Sequence, residues 1–152
     1  MKLHYVAAIL GCAMASGCAT LQIYPDSVPT EVAYQALNAA DFAQTVTVAR
    51  NPDRYQESAW PTHDIIGTHP SPQGAVAFGA VQGVIHYAVT GWLDREADAT
   101  GAPGWNVAKW VWNIGTLYSP AHNVIRNHEI GLTLFGGRQP DPPPPIKMAV
   151  RH

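Results

Sequence analysis

Apolar positions recur at helical spacing over much of the chain, and the breakers between them mark where helices stop. Val32, Ala33, Ala36, Leu37, Ala40, Ala43 and Val46 fall three and four apart, which predicts a first helix from about residue 30 to residue 50. Ser27 or Thr30 is placed to cap it, Glu31 suits its first turn, and Asn51-Pro52 ends it, because proline cannot continue a helix. Residues 55–74 contain Pro61, Gly67, Pro70, Pro72 and Gly74. That density of breakers predicts a long loop with no regular element of useful length. A second helix is predicted over residues 75–93, a run without Asp, Glu, Lys or Arg. It would be about 28 Å long, close to the hydrocarbon thickness of a bilayer. Gln82, His86 and Thr90 dilute its apolar character, so a buried core helix fits the same pattern. A third helix is predicted over residues 105–118, with a continuation past a kink at Pro120 to Arg126 as the longer version. Ile130, Leu132 and Leu134 alternate with Gly131 and Thr133 and allow at most one short strand.

The ends of the chain add an address. Lys2 precedes an apolar stretch from Leu3 to Ala15, and Ala15-Ser16-Gly17-Cys18 has the small-small-Cys ending of a bacterial lipobox. Residues 1–17 therefore read as a lipoprotein signal peptide, with Cys18 the lipidated first mature residue; an uncleaved membrane anchor is the alternative. Several acyl chains anchor a protein stably where one holds only marginally. Cys12 lies in the leader and Cys18 takes lipid, so no thiol remains for a disulfide or a metal. Residues 18–29 are expected to be a tether, 30–137 a helical domain, and 138–152 a Pro-rich tail in which Asp141-Pro142-Pro143-Pro144-Pro145 favours polyproline II. The fold class expected is mainly α: a small three-helix bundle, or a membrane-associated helical hairpin plus one helix, with long Pro/Gly-rich loops. Trp92, Trp105, Trp110 and Trp112 cluster around the connection between the second and third helices, either as an interfacial belt or as filling for the end of a soluble core.

Composition excludes more chemistry than it suggests. The formal charge is −2 and no Lys/Arg cluster is present, which argues against a phosphate-binding face and hence against nucleic acid. Within the second helix, Gly79 and Gly83 form a Gly-x-x-x-Gly pair that lets another backbone approach closely. Beside it runs a polar line of Gln82, His86, Thr90 and Asp94, four residues apart, while Asp41, Gln44, Thr45 and Val48 share a face of the first helix. If the two faces meet, Asp41 accepts a hydrogen bond from His86, with Glu57 or Asn127 joining. The candidate network is Asp41, Thr45, Glu57, His69, Gln82, His86 and Asn127. Its simplest role is a satisfied polar core that sets helix register. No metal site or cofactor is expected: His128-Glu129 begins like a zinc-protease motif, but Leu132 stands where the second histidine belongs, and only a loop-spanning set of His63, His69 and His86 would offer an alternative. No nucleophile elbow, Walker loop or dinucleotide fingerprint appears.

Taken together, Asp41-Phe42-Ala43-Gln44-Thr45, Glu57-Ser58 and Ile66-Gly67-Thr68-His69-Pro70-Ser71 resemble a family of small uncharacterised membrane proteins from phage and prophage genomes. That family reads Asp-x-x-Gln-Thr, then Glu-Ser-Asn-Pro, then Leu-Gly-x-His-Pro-Ser. Here Ala59-Trp60-Pro61-Thr62-His63-Asp64 follows the Glu-Ser instead of Asn-Pro. The resemblance implies a helical, membrane-associated fold and a phage or prophage origin, without an activity. The function expected is that of a non-enzymatic, membrane-anchored envelope lipoprotein acting by protein contact or surface modification. Its partners would be membrane lipid through Cys18 and a host envelope protein, at the outer membrane facing the periplasm or at the inner membrane. The rival expectation is a hydrolase or metal-dependent enzyme built on Asp41, Glu57, His69 and His86. A lysis-associated lipoprotein is a third reading, prompted by the Pro-rich end.

Overall fold

The computed structural model describes residues 22–59 and 61–132; the leader, Cys18, Leu134 and the Pro-rich tail lie outside the described residues. Four helices follow one another: α1 (Val28–Arg50), α2 (Thr62–Ile66), α3 (Pro72–Thr100) and α4 (Pro103–Glu129). Each long helix carries proline in its first turn, where the missing N–H would have no helical partner anyway. The Ser71 hydroxyl caps α3 by accepting from the Gly74 N–H at 3.0 Å. Gly101, with φ of 60°, ends α3 in the left-handed conformation that favours glycine.

α1, α3 and α4 pack as a small up-down-up bundle. α3 runs antiparallel to α1, since Ser27 meets Asp94, Glu31 meets His86 and Asn38 meets Gly79. α4 runs parallel to α1, because Lys109 meets Asp26, Asn123 meets Asp41 and Asn127 meets Gln44. The bundle thus has two ends. One holds the α3–α4 turn and the start of α1; the other holds the end of α1, α2 and the end of α4.

Several boundaries differ from the sequence pattern for identifiable reasons. α1 begins at Val28, and Ser27, expected as tether, is buried against Asp94. α3 starts three residues before residue 75 because of its Ser71-Pro72 cap. It continues seven beyond residue 93 because Asp94 and Ala97 still face the interior. α4 passes through Pro120 to Glu129; the shorter expectation overweighted a proline that tertiary packing tolerates. The long loop contains the single turn of α2. No strand occurs among the described residues. Ile130–Leu132 instead turns back on α4, with the Leu132 N–H donating to the Asn127 carbonyl at 2.9 Å and the Leu132 side chain fully buried.

The two glycines do what their spacing suggests. A Cβ on Gly79 would lie 2.5 Å from Phe42 Cγ, and one on Gly83 would lie 2.7 Å from Gln35 Oε1. α1 and α3 approach this closely only because those side chains are absent. Trp92 and Trp105 meet edge to face near the α3–α4 turn, with ring centroids 5.3 Å apart. Trp112 does not join them: it stacks on His86 in the interior and donates its indole N–H to the Thr90 hydroxyl at 3.2 Å.

The bundle is polar inside and apolar outside. Among the described residues thirteen buried side chains are polar or charged and seven are apolar, whereas Val32, Val84, Ile85, Val107, Trp110, Val111 and Ile114 stand exposed on the helix surfaces. A water-soluble bundle has the reverse arrangement.

Candidate functional site

The buried polar groups form three layers, each drawing side chains from all three long helices or their flanking loops. In the first, next to the α3–α4 turn, the Asp94 carboxylate accepts from the Ser27 hydroxyl at 2.6 Å and from the Tyr24 N–H at 2.9 Å. The Lys109 ammonium lies 3.5 Å from Asp94 and pairs with Asp26 at the rim. Its hydrogen bond holds the Asp26 carboxyl below the usual carboxylate range.

The middle layer centres on His86. Its ring lies parallel to Tyr34 with centroids 3.5 Å apart and against Trp112 at 5.3 Å. Nδ1 is 2.8 Å from Glu31 Oε2, and Nε2 is 2.8 Å from the Thr116 hydroxyl. Glu31 Oε1 accepts from the Gln35 amide at 2.6 Å.

This carboxylate–imidazole–hydroxyl row has the outline of a hydrolase triad, but proton bookkeeping decides against one. Thr116 donates its only hydroxyl proton to the Trp112 carbonyl at 2.6 Å. Its oxygen is therefore an acceptor, and His86 Nε2 must carry the hydrogen between them. A base with no lone pair on that nitrogen cannot activate the threonine. What remains on the other side is one proton shared by His86 Nδ1 and Glu31 Oε2, either as an imidazolium with a carboxylate or as two neutral groups.

In the third layer the Asn123 amide donates to Asp41 Oδ2 at 3.1 Å, and the Thr45 hydroxyl donates to Glu57 Oε2 at 3.1 Å. Glu57 also accepts from the Ala59 N–H at 2.8 Å, and the Asn127 amide donates to Gln44 Oε1 at 3.1 Å. The anticipated network is thus divided. Asp41, Thr45, Glu57 and Asn127 lie in this layer, His86 lies in the middle one, and Gln82 is half-buried outside the hydrogen bonds described. His69 stands exposed in the loop beside the Thr68 hydroxyl at 3.2 Å.

His86 pairs with Glu31, not with Asp41, which is ten residues further along α1 or about 15 Å. The four residues of the enzymatic alternative therefore do not converge. No group of three or more His, Cys, Asp or Glu able to hold a metal ion occurs among the described residues. Glu31, Asn38, Lys109 and Asn113 are the interior residues that sequence reasoning missed. Each sits three or four residues from another inward polar side chain, so the signal was there, but Glu31 looked like an ordinary first-turn acid and Lys109 like a surface charge.

The charge distribution on the outside is equally definite. Between Ser27 and Ala49, Pro72 and Leu93, and Pro103 and Ile125, the only Asp, Glu, Lys or Arg residues are Glu31, Asp41 and Lys109, and all three are at least nine-tenths buried. Each interval spans about 33 Å of helix. Exposed charges collect beyond it, with Asp26, Arg95 and Asp98 at one end and Arg50, Asp53, Arg54, Asp64, Arg126 and Glu129 at the other. By length and composition α3 is the one helix among the described residues apolar enough to cross a membrane.

Comparison with known families, curated proteins and solved structures finds no match to this chain.

Proposed function

We propose that this chain is a non-enzymatic, membrane-anchored envelope protein of the phage or prophage type, in which α1, α3 and α4 lie together in the bilayer and Cys18 adds a lipid anchor. The observation that carries the reading is the charge-free belt around the whole bundle. In lipid, apolar side chains face outward at no cost and the remaining polar groups turn inward to pair with one another. α1 and α4 are too polar to cross alone, but their charged residues within the belt, Glu31, Asp41 and Lys109, are buried, as are Asn38, Gln44, Thr45 and Asn113, while the neutral Asn106, Ser119 and His122 of α4 face outward. The belt matches a hydrocarbon layer of about 30 Å.

Orientation follows from two independent features. A lipidated Cys18 would sit on the outer face of the cytoplasmic membrane, and Gln22 to Ser27 enter the bundle at the Asp94 end. Arg50, Arg54 and Arg126 flank the other end, against exposed Arg95 and the buried, ion-paired Lys109 at the first, which is the bias expected for a cytoplasmic face. Three crossings favour the inner membrane over the outer. The protein then acts by contact with a host envelope protein or by altering the surface it occupies. The proton arrangement at Thr116 supports a non-enzymatic role.

The test is fractionation of cells expressing Cys18→Ser. Retention of the variant in membranes that resist carbonate extraction is expected, because the bundle itself holds it there. Release as soluble protein would overturn the embedded bundle. A native mass spectrum with an unmodified Cys18 would remove the lipid anchor and leave the bundle standing.

A further inference from the structure

The three layers are not isolated. From the cap of α1 onward, polar side chains that reach another element recur every three or four residues: Ser27, Glu31, Asn38, Asp41 and Thr45, all buried, and Gln35, half-buried at the groove between α1 and α3. At helical rise this is a step of about 4.5–6 Å, sustained over about 27 Å. Each step has a partner from another element: Asp94 for Ser27, His86 for Glu31, the Gly83 carbonyl for Gln35, the Gly79 carbonyl for Asn38, Asn123 for Asp41 and Glu57 for Thr45. Fixing helix register needs a few such contacts, whereas a regular series of them with ionisable groups at both ends and in the middle exceeds that need.

Two further features leave acceptors along the file. Asn113 Oδ1 is buried with no partner among the described residues, and Pro120 has no N–H to give to the Thr116 carbonyl one turn before it. Both lie on α4 near His86, whose Nε2 bonds Thr116. Acceptors of this kind, the first of them buried, are where ordered water completes a polar interior.

We propose that this file conducts protons along the bundle axis between the Asp94 end and the Glu57 end, with the Glu31–His86 pair and Asp41 as its stations. The proposal rests on the membrane-embedded reading above, and a transmembrane pH difference or potential supplies the drive. A proton entering past the exposed Asp26 rim adds to the Glu31–His86 pair, which already shares one and becomes an imidazolium beside a neutral carboxylic acid. Water at the Thr116 carbonyl, beside Pro120, carries the excess proton on toward Asp41, since the Gln35 and Asn38 amides have none to release. Asp41 takes it as a carboxylic acid and passes it to Glu57, which releases it to solvent water at that end of the bundle, and every group returns to its starting state.

The full chain is reconstituted in phospholipid vesicles loaded with a pH-sensitive dye, with a potassium gradient and valinomycin setting the potential. The expected result is a protein-dependent change of internal pH, lost in Asp41→Asn and in Glu31→Gln and kept in Asp41→Glu and in the exterior variant Val111→Ala. A lipid-soluble carbodiimide, which blocks buried carboxyls, is expected to stop the wild-type flux without any question of variant folding. Carbonate-resistant protein whose flux equals that of empty vesicles would overturn the relay alone. So would flux unchanged by both carboxyl variants and by the carbodiimide. Protein that carbonate strips from the vesicles overturns the embedded bundle, and the relay with it.

Discussion

The contact between Gly79 and Phe42 gives the sharpest test of how α1 and α3 fit. Replacing Gly79 with alanine adds one methyl group, which would lie 2.5 Å from Phe42 Cγ, 2.7 Å from Cδ2 and 3.0 Å from Cβ. Ordinary carbon contact begins near 3.5 Å, so the ring must withdraw by about 1 Å. A free side chain would swing aside, but Phe42 is buried, and its ring is held edge-on by Phe78 with centroids 5.7 Å apart. Its Cβ moves only if the α1 backbone moves. Such a shift also strains the Asn38 bond to the Gly79 carbonyl, now 3.0 Å. Overpacking of this kind costs about 1–3 kcal/mol, and it outweighs the gain of up to about 1 kcal/mol that alanine has over glycine inside a helix.

Gly115→Ala is the matched control. That glycine is also helical, and a Cβ there meets nothing within 4 Å, so the propensity gain should appear alone. Denaturation of the helical circular dichroism signal in detergent micelles measures both. Gly79→Ala should lose stability while Gly115→Ala gains it. Combining Gly79→Ala with Phe42→Ala should cost less than the sum of the two, because the cavity left by the ring accepts the methyl group. Equal effects at the two glycines would refute the close approach.

Glu31→Ala should destabilise the bundle by about 3–5 kcal/mol, since it strands a buried polar ring that has lost its partner. Glu31→Gln, which keeps a hydrogen-bonding group at the same place, should cost clearly less in the same melts. Ser71→Ala should cost about 1 kcal/mol by removing the cap of α3, and hydrogen exchange should localise the loss to the first turn of that helix. The Asp26 carboxyl is held below its ordinary value by the Lys109 hydrogen bond. Its contribution to stability is therefore present above the unfolded value near 4 and lost as pH falls through the lower folded value. Stability measured against pH should show this slope in the wild type and lose it in Asp26→Asn.

The three long helices were legible because their stops are chemical. Asn51-Pro52, Ser71-Pro72 and Gly101-Ala102-Pro103 punctuate the chain whatever the tertiary structure does, and the Gly79/Gly83 pair marks the tight helix face directly. The interior was less legible, because a helix of this kind carries two stripes and periodicity does not say which faces in. On α1 the apolar positions Val32, Ala33 and Ala36 fit a core stripe and are exposed, while Glu31, Asn38 and Asp41 are buried. The partner of His86 was beyond reach for a related reason. Choosing between Glu31 and Asp41 requires the axial offset of α1 against α3, which only the packed bundle fixes.

Pro120 left two ends open for the last helix for a third reason. Its cost is local, whereas Asn123 and Asn127 beyond it repay continuation through bonds to α1.

A seam of greasy side chains lets helices creep past one another, because one methyl neighbour is nearly as good as the next. The joint between α4 and α1 has no such tolerance. Turning α4 by one residue, about 100°, would unseat Lys109, Asn123 and Asn127 at the same moment, with Trp112 losing Thr90 as well. The helices are keyed like the wards of a lock, so any motion between them proceeds in whole jumps.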